Sequence, residues 1–301
     1  ALQSLVTHPS KAPQFPAIEK ALRFSTHLSG PVALTACIEQ ALGWTEETDL
    51  PLAALAAKQA GFESDQQGFW LAARPVCMLP DRDRLLLSMP TVILQEELQR
   101  AAELIQNHFR DDFVQIEVLH DFLLIRLAKT VPLEFSSYLD AVGKNVDLFL
   151  PGGTSKNQWH TWLNEIQMLM FSEQLTFNSL WFEYAGKLNN DKPVSSAVLS
   201  TDKLLAAAVD DRVDSDLVAL IKQLEHQPDY QAVVLTELVS PNHDLHATLL
   251  VVNELFALLI KQLKAKQYTV IRLFDAGGQA CELKRNDLFK FWRRSSSQCL
   301  E

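Results

Sequence analysis

The sequence has little cysteine and lacks the short motifs by which many enzyme families are recognised. Its four cysteines, Cys37, Cys77, Cys281 and Cys299, stand far apart, with no CxxC pair and no spacing typical of a metal site. It contains no GxSxG motif, no phosphate-binding P-loop and no GxGxxG dinucleotide motif. The sequence therefore gives no support to a serine hydrolase, a P-loop nucleotidase or a Rossmann dehydrogenase.

Long apolar runs and an excess of positive charge are also missing. The 301 residues carry 27 Lys and Arg against 37 Asp and Glu, a formal net charge of −10. Such a surface repels phosphate backbones, which disfavours nucleic acid as a partner. No apolar run reaches the roughly 20 residues that a membrane helix needs. No signal peptide is visible, so we expect reduced thiols, a cytoplasmic location and no membrane association.

The spacing of apolar residues predicts how the first half of the chain folds. Residues 18–28, 34–42 and 52–60 have helical spacing, and residues 68–128 read as strand, strand, helix, strand, strand. This order predicts an α+β domain with a small sheet and a helix on one face, over residues 1–140. A second domain is expected over residues 141–301, without a flexible linker between the two.

Two charged turns separate the predicted strands of this domain. Residues 81–84, of sequence DRDR, are typical of a solvated turn rather than a phosphate clamp. His120-Asp121 could form half of an acid–base pair, but its position between two strands favours a hairpin turn. Neither segment is therefore predicted to be catalytic.

The most informative stretch of the sequence is residues 150–186. Its Pro-Gly-Gly segment at 151–153 predicts a turn. Trp159, Trp162 and the apolar residues after them recur at three- and four-residue spacing, which predicts a helix with one apolar face. An aromatic strand is predicted next, over residues 177–182.

The predicted helix also carries an unusual face of uncharged polar side chains, namely His160, Asn164 and Gln167. Asn178 and Trp181 lie on the strand that follows. One interpretation is a polar seam satisfied by neighbouring loops, since buried polar groups generally find partners. The other is a binding site for a small ligand or a protein, and the sequence leaves both interpretations open.

The rest of the chain alternates between helical and strand patterns, which predicts an α/β domain. Strands are predicted over residues 146–150, 194–199, 231–238, 268–274 and 281–284, and helices over residues 202–209, 216–226 and 247–264.

Four segments resemble the RpfE-type bacterial regulatory proteins, a family described as related to cofactor-independent phosphoglycerate mutases. They are LPGG at 150–153, WHTWLNEIQMLM at 159–170, NSLWF at 178–182 and FWRR at 291–294. The resemblance runs from about residue 70 to residue 294 and implies an alkaline-phosphatase-like α/β core in the C-terminal domain. The glycine-rich run that usually follows the NSLWF segment in this family is replaced here by EYAG, at residues 183–186.

One loop offers metal-ligating residues, His243, Asp244 and His246, and such ligands suit zinc or manganese. The resemblance implies a Pro-Asp-Glu-x-Gly-His metal loop at this place in the phosphoglycerate mutases. Pro241 and His246 match that pattern, whereas Asn242 stands where the ligand Asp is expected. Asn lacks the negative charge that helps to offset a dication, so the site looks incomplete.

The sequence also contains no Asp-Gly dipeptide, which that superfamily uses in a second metal motif. Phosphoryl transfer of this kind needs two metals to hold the attacking and leaving oxygens. We therefore interpret the chain as a non-catalytic regulatory protein, with a degenerate mutase-like fold and no cofactor, that binds an unknown small ligand or protein partner. The alternative is a metal-dependent phosphoglycerate mutase or phosphatase that uses Mn²⁺ or Zn²⁺.

Thermal unfolding of metal-stripped protein, with and without excess Mn²⁺ or Zn²⁺, separates the two interpretations. A ligand at a hundred times its Kd stabilises a fold by about 2.7 kcal/mol, which raises the Tm by several degrees. Because the metal loop is incomplete, we expect no such rise. A rise that disappears in His246→Ala would instead favour the enzyme.

Overall fold

A computed structural model describes residues 15–32, 34–44, 50–62, 68–131, 133–153, 156–188, 198–209, 216–226, 232–235, 244–274 and 277–289. The helices are α1 (Pro16–Phe24), α2 (Leu34–Leu42), α3 (Leu52–Gln59), α4 (Gln95–His108), α5 (Tyr138–Ala141), α6 (Lys156–Ser172), α7 (Lys203–Val209), α8 (Leu217–His226) and α9 (Leu245–Lys264). The strands are β1 (Thr26–Val32), β2 (Phe69–Asp81), β3 (Arg84–Ser88), β4 (Phe113–Leu119), β5 (Phe122–Leu127), β6 (Leu133–Glu134), β7 (Gly152–Gly153), β8 (Ser179–Gly186), β9 (Val198–Ser200), β10 (Ala232–Val234), β11 (Val270–Phe274) and β12 (Gly277–Lys284). Short 3₁₀ helices span Val146–Leu148 and Arg285–Phe289. The mixed α/β class predicted from the sequence is confirmed.

The chain forms two compact units, each assembled from segments that are distant in sequence. The first unit comprises Ala1–Ala41, Ala197–Thr201 and Asp214–Glu301, and the second comprises Leu42–Ser196 and Asp202–Val213. These units follow the chain differently from the division into residues 1–140 and 141–301, which stays a prediction.

The second unit is built on an antiparallel sheet with the order β3-β2-β5-β4, in which β8 also pairs with β2. The first strand predicted within residues 68–128 is β2, a strand of 13 residues. Pro75 lies between the β2 residues that pair with β5, which end at Ala73, and those that pair with β3, which begin at Cys77. Proline has no N–H to donate, and Pro75 stands where neither β5 nor β3 pairs with β2, so the strand can continue through this position.

Strand alternation divides the side chains of this sheet between two buried faces. On one face Leu71, Ala73 and Phe182 pack against apolar residues of α4 and α6, and Trp159 makes edge-to-face contacts with Phe182 at a centroid distance of 4.9 Å. On the other face a smaller apolar cluster surrounds the α5 region, formed by Val76, Met78, Leu87, Tyr138, Ala141, Val142, Val146 and Trp181. Because both faces of the sheet are covered, consecutive residues of β8 are buried, and its sequence shows no alternation of apolar and polar residues.

The charged turns lie where the sequence predicts them. Residues 81–84 close the β2–β3 hairpin, with Arg82 at a φ of 57° and an exposed Asp81–Arg84 ion pair of 2.9 Å. His120 and Asp121 close the β4–β5 hairpin, with His120 at a φ of 55°. The two-residue turns match the twist of the strands that they join.

The first unit contains an antiparallel sheet of order β1-β12-β11 and a parallel pair, β9 and β10. The helix predicted over residues 18–28 extends too far, because the helix ends at Phe24 and β1 begins at Thr26 and pairs with β12. Residues 146–150 are not a strand as predicted, since the Asn145 side chain accepts a hydrogen bond from the Asp147 N–H and starts a 3₁₀ turn.

Helix α9 is the long apolar helix of the first unit. Its buried residues pack in clusters with residues of α1 and α8, and the Asn253 Oδ1 atom accepts a hydrogen bond of 2.9 Å from the Ala17 N–H. Among the described residues it is the one helix long and apolar enough to cross a membrane, a test that buried core helices also pass.

Gly186 gives a stability test of the second unit. A Cβ at Gly186 would lie 2.7 Å from the Pro51 Cβ and 3.2 Å from its Cα, whereas a Cβ at Gly152 would meet nothing within 4 Å. We expect Gly186→Ala to lower the free energy of unfolding by about 1–3 kcal/mol through overpacking. Gly152→Ala, measured in the same urea titration, should change it by less than about 0.5 kcal/mol. Equal effects would contradict the close approach.

Candidate functional site

Two of the residues predicted to bind a ligand, Gln167 and Asn178, both contact Met78 on β2. The Gln167 Nε2 atom lies 2.8 Å from the Met78 Sδ atom, reaching it from α6. The Asn178 side chain contacts the Met78 backbone from the segment just before β8. Trp181 belongs to the same apolar cluster as Met78. The sequence-predicted set is therefore partly brought together.

Asn178 uses its side-chain amide in place of a backbone peptide. Its Oδ1 accepts from the Met78 N–H at 2.7 Å, and its Nδ2 donates to the Met78 carbonyl at 3.0 Å. Its own N–H donates to the Val76 carbonyl at 3.2 Å. The amide thus extends the ladder between β2 and β8 beyond the first residue of β8. Both ends of the amide are engaged, so Asn178 has a structural role.

Trp181 and His160 differ in how their polar atoms are satisfied. Trp181 is 3% exposed and its Nε1–H donates to the Ser136 carbonyl at 2.9 Å. The His160 Nε2 atom is buried and has no hydrogen-bond partner among the described residues. The His160 Nε2 atom therefore takes no part in the hydrogen bonds around Met78, whereas Trp181 belongs to the apolar cluster that contains Met78.

Asn164 lies on the solvent face of α6, in line with two large apolar side chains. Met168 is 72% exposed and Phe171 is 81% exposed. Positions 164, 168 and 171 follow one another at four- and three-residue spacing, so they share one side of the helix. The opposite side, with Trp159, Leu163, Ile166 and Met170, is buried. We call Asn164, Met168 and Phe171 the α6 strip.

Polar contacts join α6 and the residues just after it to α4. The Glu165 carboxylate lies 2.8 Å from the His108 Nε2 atom, and Glu173 pairs with Arg100. Thr176, in the loop after α6, is hydrogen-bonded to Glu97 of α4. These contacts, together with the buried face of α6, hold the α6 strip in a defined position.

The predicted metal loop is described only from Asp244 onward, and His243 lies outside the described residues. The Asp244 Oδ1 atom accepts from the His246 N–H at 3.0 Å and from the Ala247 N–H at 3.2 Å, which makes Asp244 the N-cap of α9. His246 is exposed, with its ring centroid 6.0 Å from that of Phe15. Within the described segments, no group of three or more His, Cys, Asp or Glu side chains could hold a metal.

The second unit contains a buried charge cluster that was not predicted from the sequence. Arg74 of β2 forms ion pairs with Glu183 of β8 and with Asp202, just before α7. The Arg74 Nη2 atom donates to both oxygens of Asp202, at 3.0 and 2.8 Å. The side chains of Arg74, Glu183 and Asp202 are 12%, 1% and 9% exposed. A bidentate pair in such an environment is strong and directional.

Further contacts complete the cluster. The Glu183 Oε2 atom accepts from the Tyr138 N–H at 2.7 Å and from the Ser137 hydroxyl at 3.4 Å. The Asp202 Oδ1 atom also accepts from the Leu205 N–H at 2.9 Å, so it caps the first turn of α7. The Arg74 guanidinium carbon lies 5.5 Å from the Tyr138 ring centroid. The two carboxylates therefore have hydrogen-bond donors besides the guanidinium.

A β-bulge in β8 directs Tyr184 toward this cluster. Between Trp70 and Ala72 of β2 the register jumps from Gly186 to Glu183, so β8 has one extra residue there. Tyr184 takes a φ of 53°, which is unusual for a residue with a side chain. Its hydroxyl lies 3.3 Å from the Ser137 Oγ atom. Bulges often redirect a side chain in this way.

The pKa values in the cluster follow from burial and charge. Burial raises the pKa of Glu183 and nearby Asp202 adds to the rise, although Arg74 acts in the opposite direction. Burial alone would lower the pKa of Arg74, but Asp202 and Glu183 outweigh it and hold that pKa well above its ordinary value. Burial also raises the pKa of Tyr138 and of Tyr184, so both phenols are neutral at pH 7.

These groups satisfy one another, which is typical of a structural ion-pair network rather than of an acid–base pair poised near neutral pH. A signal for it does exist in the sequence. Glu183 is a charged residue that directly follows the aromatic strand predicted over residues 177–182. Its partners, Arg74 and Asp202, are separated from it in sequence by 109 positions and by about 20, and periodicity does not pair such residues.

Comparison with known proteins shows a distant likeness of fold. No family model matches the chain, and no curated protein sequence matches it significantly. Among solved structures, the PH0037 protein from Pyrococcus horikoshii is similar with a TM-score of 0.50 and 11% identity, over 95% of this chain and 84% of that one. A cofactor-independent phosphoglycerate mutase from Thermoplasma acidophilum has a TM-score of 0.42 and 10% identity, over 90% of this chain and 82% of that one. The RpfE-type resemblance stays a prediction.

The buried charge cluster can be tested with Arg74→Met, which leaves Glu183 and Asp202 without their cation. We expect the free energy of unfolding to fall by about 3–5 kcal/mol at pH 7. A carboxyl whose pKa is raised by folding contributes stability below its ordinary value of 4.5 that is lost as the pH rises through the folded value. Without Arg74 that pKa rises further, so the loss should be smaller at pH 5 than at pH 7.

Urea unfolding at both pH values provides the measurement, and Arg84→Met is the matched control. Arg84 pairs with Asp81 at 2.9 Å, but its side chain is 53% exposed, so its removal should cost at most about 1 kcal/mol. A loss in Arg74→Met no larger than in Arg84→Met would show that the cluster contributes little.

Proposed function

We propose that this protein is a non-catalytic regulatory protein of the cytoplasm that acts by binding a protein partner through the α6 strip. The observation that carries the proposal is the exposure of Phe171 and Met168, at 81% and 72%, on a helix whose other side is deeply buried. Single exposed apolar residues are common on protein surfaces, but aligned aromatic and thioether side chains are typical of interaction sites.

The α6 strip suits a protein partner better than a small molecule. It runs along a helix of 17 residues, about 25 Å long, and its residues project outward rather than lining a concave pocket. Met168 can adapt to different apolar shapes, whereas Phe171 offers a large rigid contact. Asn164 adds an amide that can donate and accept beside them. The partner should therefore present an apolar surface with a hydrogen-bonding group opposite Asn164.

The position of α6 supports the same proposal. The buried face of α6 and the contacts of Glu165 and Glu173 with α4 hold the α6 strip in place in the absence of a partner. A preorganised surface loses less side-chain and backbone freedom on binding, which increases affinity. Asn178 is engaged in strand pairing and Asp244 in helix capping, so we assign these two side chains to the fold and not to the binding surface.

The test compares Phe171→Glu with Leu148→Glu, because Leu148 is equally exposed at 77% but lies outside α6. Both changes put a charge at an exposed apolar position and should leave the free energy of unfolding within about 0.5 kcal/mol. Proteins captured from lysate of the source cells are identified by mass spectrometry, purified and titrated against each variant by calorimetry. Phe171→Glu should weaken the purified complex by about 30-fold or more, as expected for a central aromatic contact.

Leu148→Glu should leave that Kd unchanged, and Asn164→Ala should weaken binding by a smaller factor than Phe171→Glu. Equal binding of Phe171→Glu and the parent protein would refute the proposal. Weakened self-association of the parent chain in Phe171→Glu, seen by sedimentation, would instead make the strip a contact between copies.

A further inference from the structure

A thiol and an imidazole lie side by side on the three-stranded sheet of the first unit. His27 of β1 and Cys281 of β12 are direct register partners, and the Sγ atom lies 3.7 Å from the His27 Nδ1 atom. His27 is exposed and Cys281 is partly exposed, so a small molecule in solvent can reach the pair. Register pairing in a ladder fixes how far apart the two side chains stand, which is not true of two residues on separate loops.

Among the described residues of the three-stranded sheet, the neighbours that the strand register places beside Cys281 on its face are apolar or uncharged. Leu273 is the register partner of Cys281 on β11, and Gln279 and Leu283 are its neighbours along β12. Ala21, Ile260 and Leu263, from α1 and α9, pack against Leu283.

The charged side chains of the three-stranded sheet lie on its opposite face. Arg272 and Lys284 both pair there with Glu282, at 3.0 and 2.6 Å. Among the described residues of this sheet, His27 is therefore the titratable side chain that the strand register places on the same face as Cys281.

A nitrogen base beside a thiol has a defined chemical consequence. The thiolate is the nucleophile, and a neighbouring imidazole that takes the proton stabilises it. Cys77 offers a contrast within the same chain, since burial raises the pKa of its thiol and its Sγ atom donates to the Thr176 carbonyl at 3.6 Å.

We propose that Cys281 is a site of reversible modification by low-molecular-weight disulfides, with His27 as the base that positions and activates its thiol. The proton of Cys281 passes to the His27 Nδ1 atom, and the thiolate attacks one sulfur of the disulfide R–S–S–R. A bond forms between that sulfur and Cys281, the S–S bond of the reagent breaks, and R–S⁻ leaves. The imidazolium proton then neutralises the departing thiolate. A reducing thiol reverses the reaction by the same exchange.

Oxidised glutathione is the probe. The parent protein is incubated with it at pH 7 and quenched with acid, and the mass of each cysteine-containing peptide gives the rate at each site. We expect the Cys281 peptide to gain glutathione faster than the Cys77 peptide, and Cys281→Ser to remove that product. Equal rates at Cys281 and Cys77 in the unaltered chain would overturn the proposal without the need for any variant.

The role of His27 is tested with His27→Gln. An ordinary thiol has a pKa of about 8.5. When a neighbouring base lowers that pKa by about one unit, the thiolate fraction at pH 7 rises about eightfold, while the nucleophilicity of the thiolate falls about threefold. His27→Gln should therefore slow the reaction of Cys281 about threefold at pH 7. At pH 9.5 both thiols are almost fully ionised, so His27→Gln, whose less acidic thiol gives the better nucleophile, should then react about threefold faster than the parent protein.

A slowing of His27→Gln that is equal at both pH values would mean that the imidazole only shapes the site, and this would overturn its role as a base. An unchanged rate at pH 7 would overturn it as well. The urea unfolding transition of His27→Gln, an exposed position, checks that the fold is kept.

Discussion

The second unit depends on one cation, Arg74, which joins three parts of the chain that sequence keeps apart. It stands on the central strand of the sheet and holds Glu183 of the neighbouring strand and Asp202 at the start of α7. Taking three charges out of water costs several kcal/mol for each ion, and that cost is offset only when every charge is paired and hydrogen-bonded. The cluster meets this condition through the N–H groups of Tyr138 and Leu205. Removing any one of the three side chains would leave a buried charge without its partner, which is why the unit depends on all of them.

Parts of the fold that rest on local chemistry could be predicted from the sequence. The predicted helices over residues 94–108 and from Trp159 to Met170 correspond to elements of the structure. The polar hairpins at 81–84 and 120–121 and the apolar strands that they join do so as well. These signals arise from side chains within a few residues of one another, which periodicity captures. The mixed α/β class follows from the same local information.

What could not be predicted depends on partners that are distant in sequence. Thr26–Val32 is a strand because β12 pairs with it, and the sequence around it reads as the end of a helix. The sequence showed the polar side chains of α6 and of the segment that follows it, but not that they have separate roles. Gln167 and Asn178 turn to Met78, whereas Asn164 joins Met168 and Phe171 at the surface. A helical wheel gives the side of the helix on which a residue lies, and only the tertiary fold decides what covers that side.

The pairing of β1 with β12 also has a consequence for synthesis. Strand β1 leaves the ribosome roughly 250 residues before its partner, a wait on the order of ten to fifty seconds at ordinary elongation rates. The sheet of the second unit, by contrast, has all its strands by Gly186. During that interval the β1 segment has neither of its edges paired, a state in which strands tend to associate with other chains. The newborn protein therefore carries β1 without its partner strand for most of its synthesis, and a chaperone that covers residues 26–32 would keep this segment from pairing elsewhere until β12 emerges.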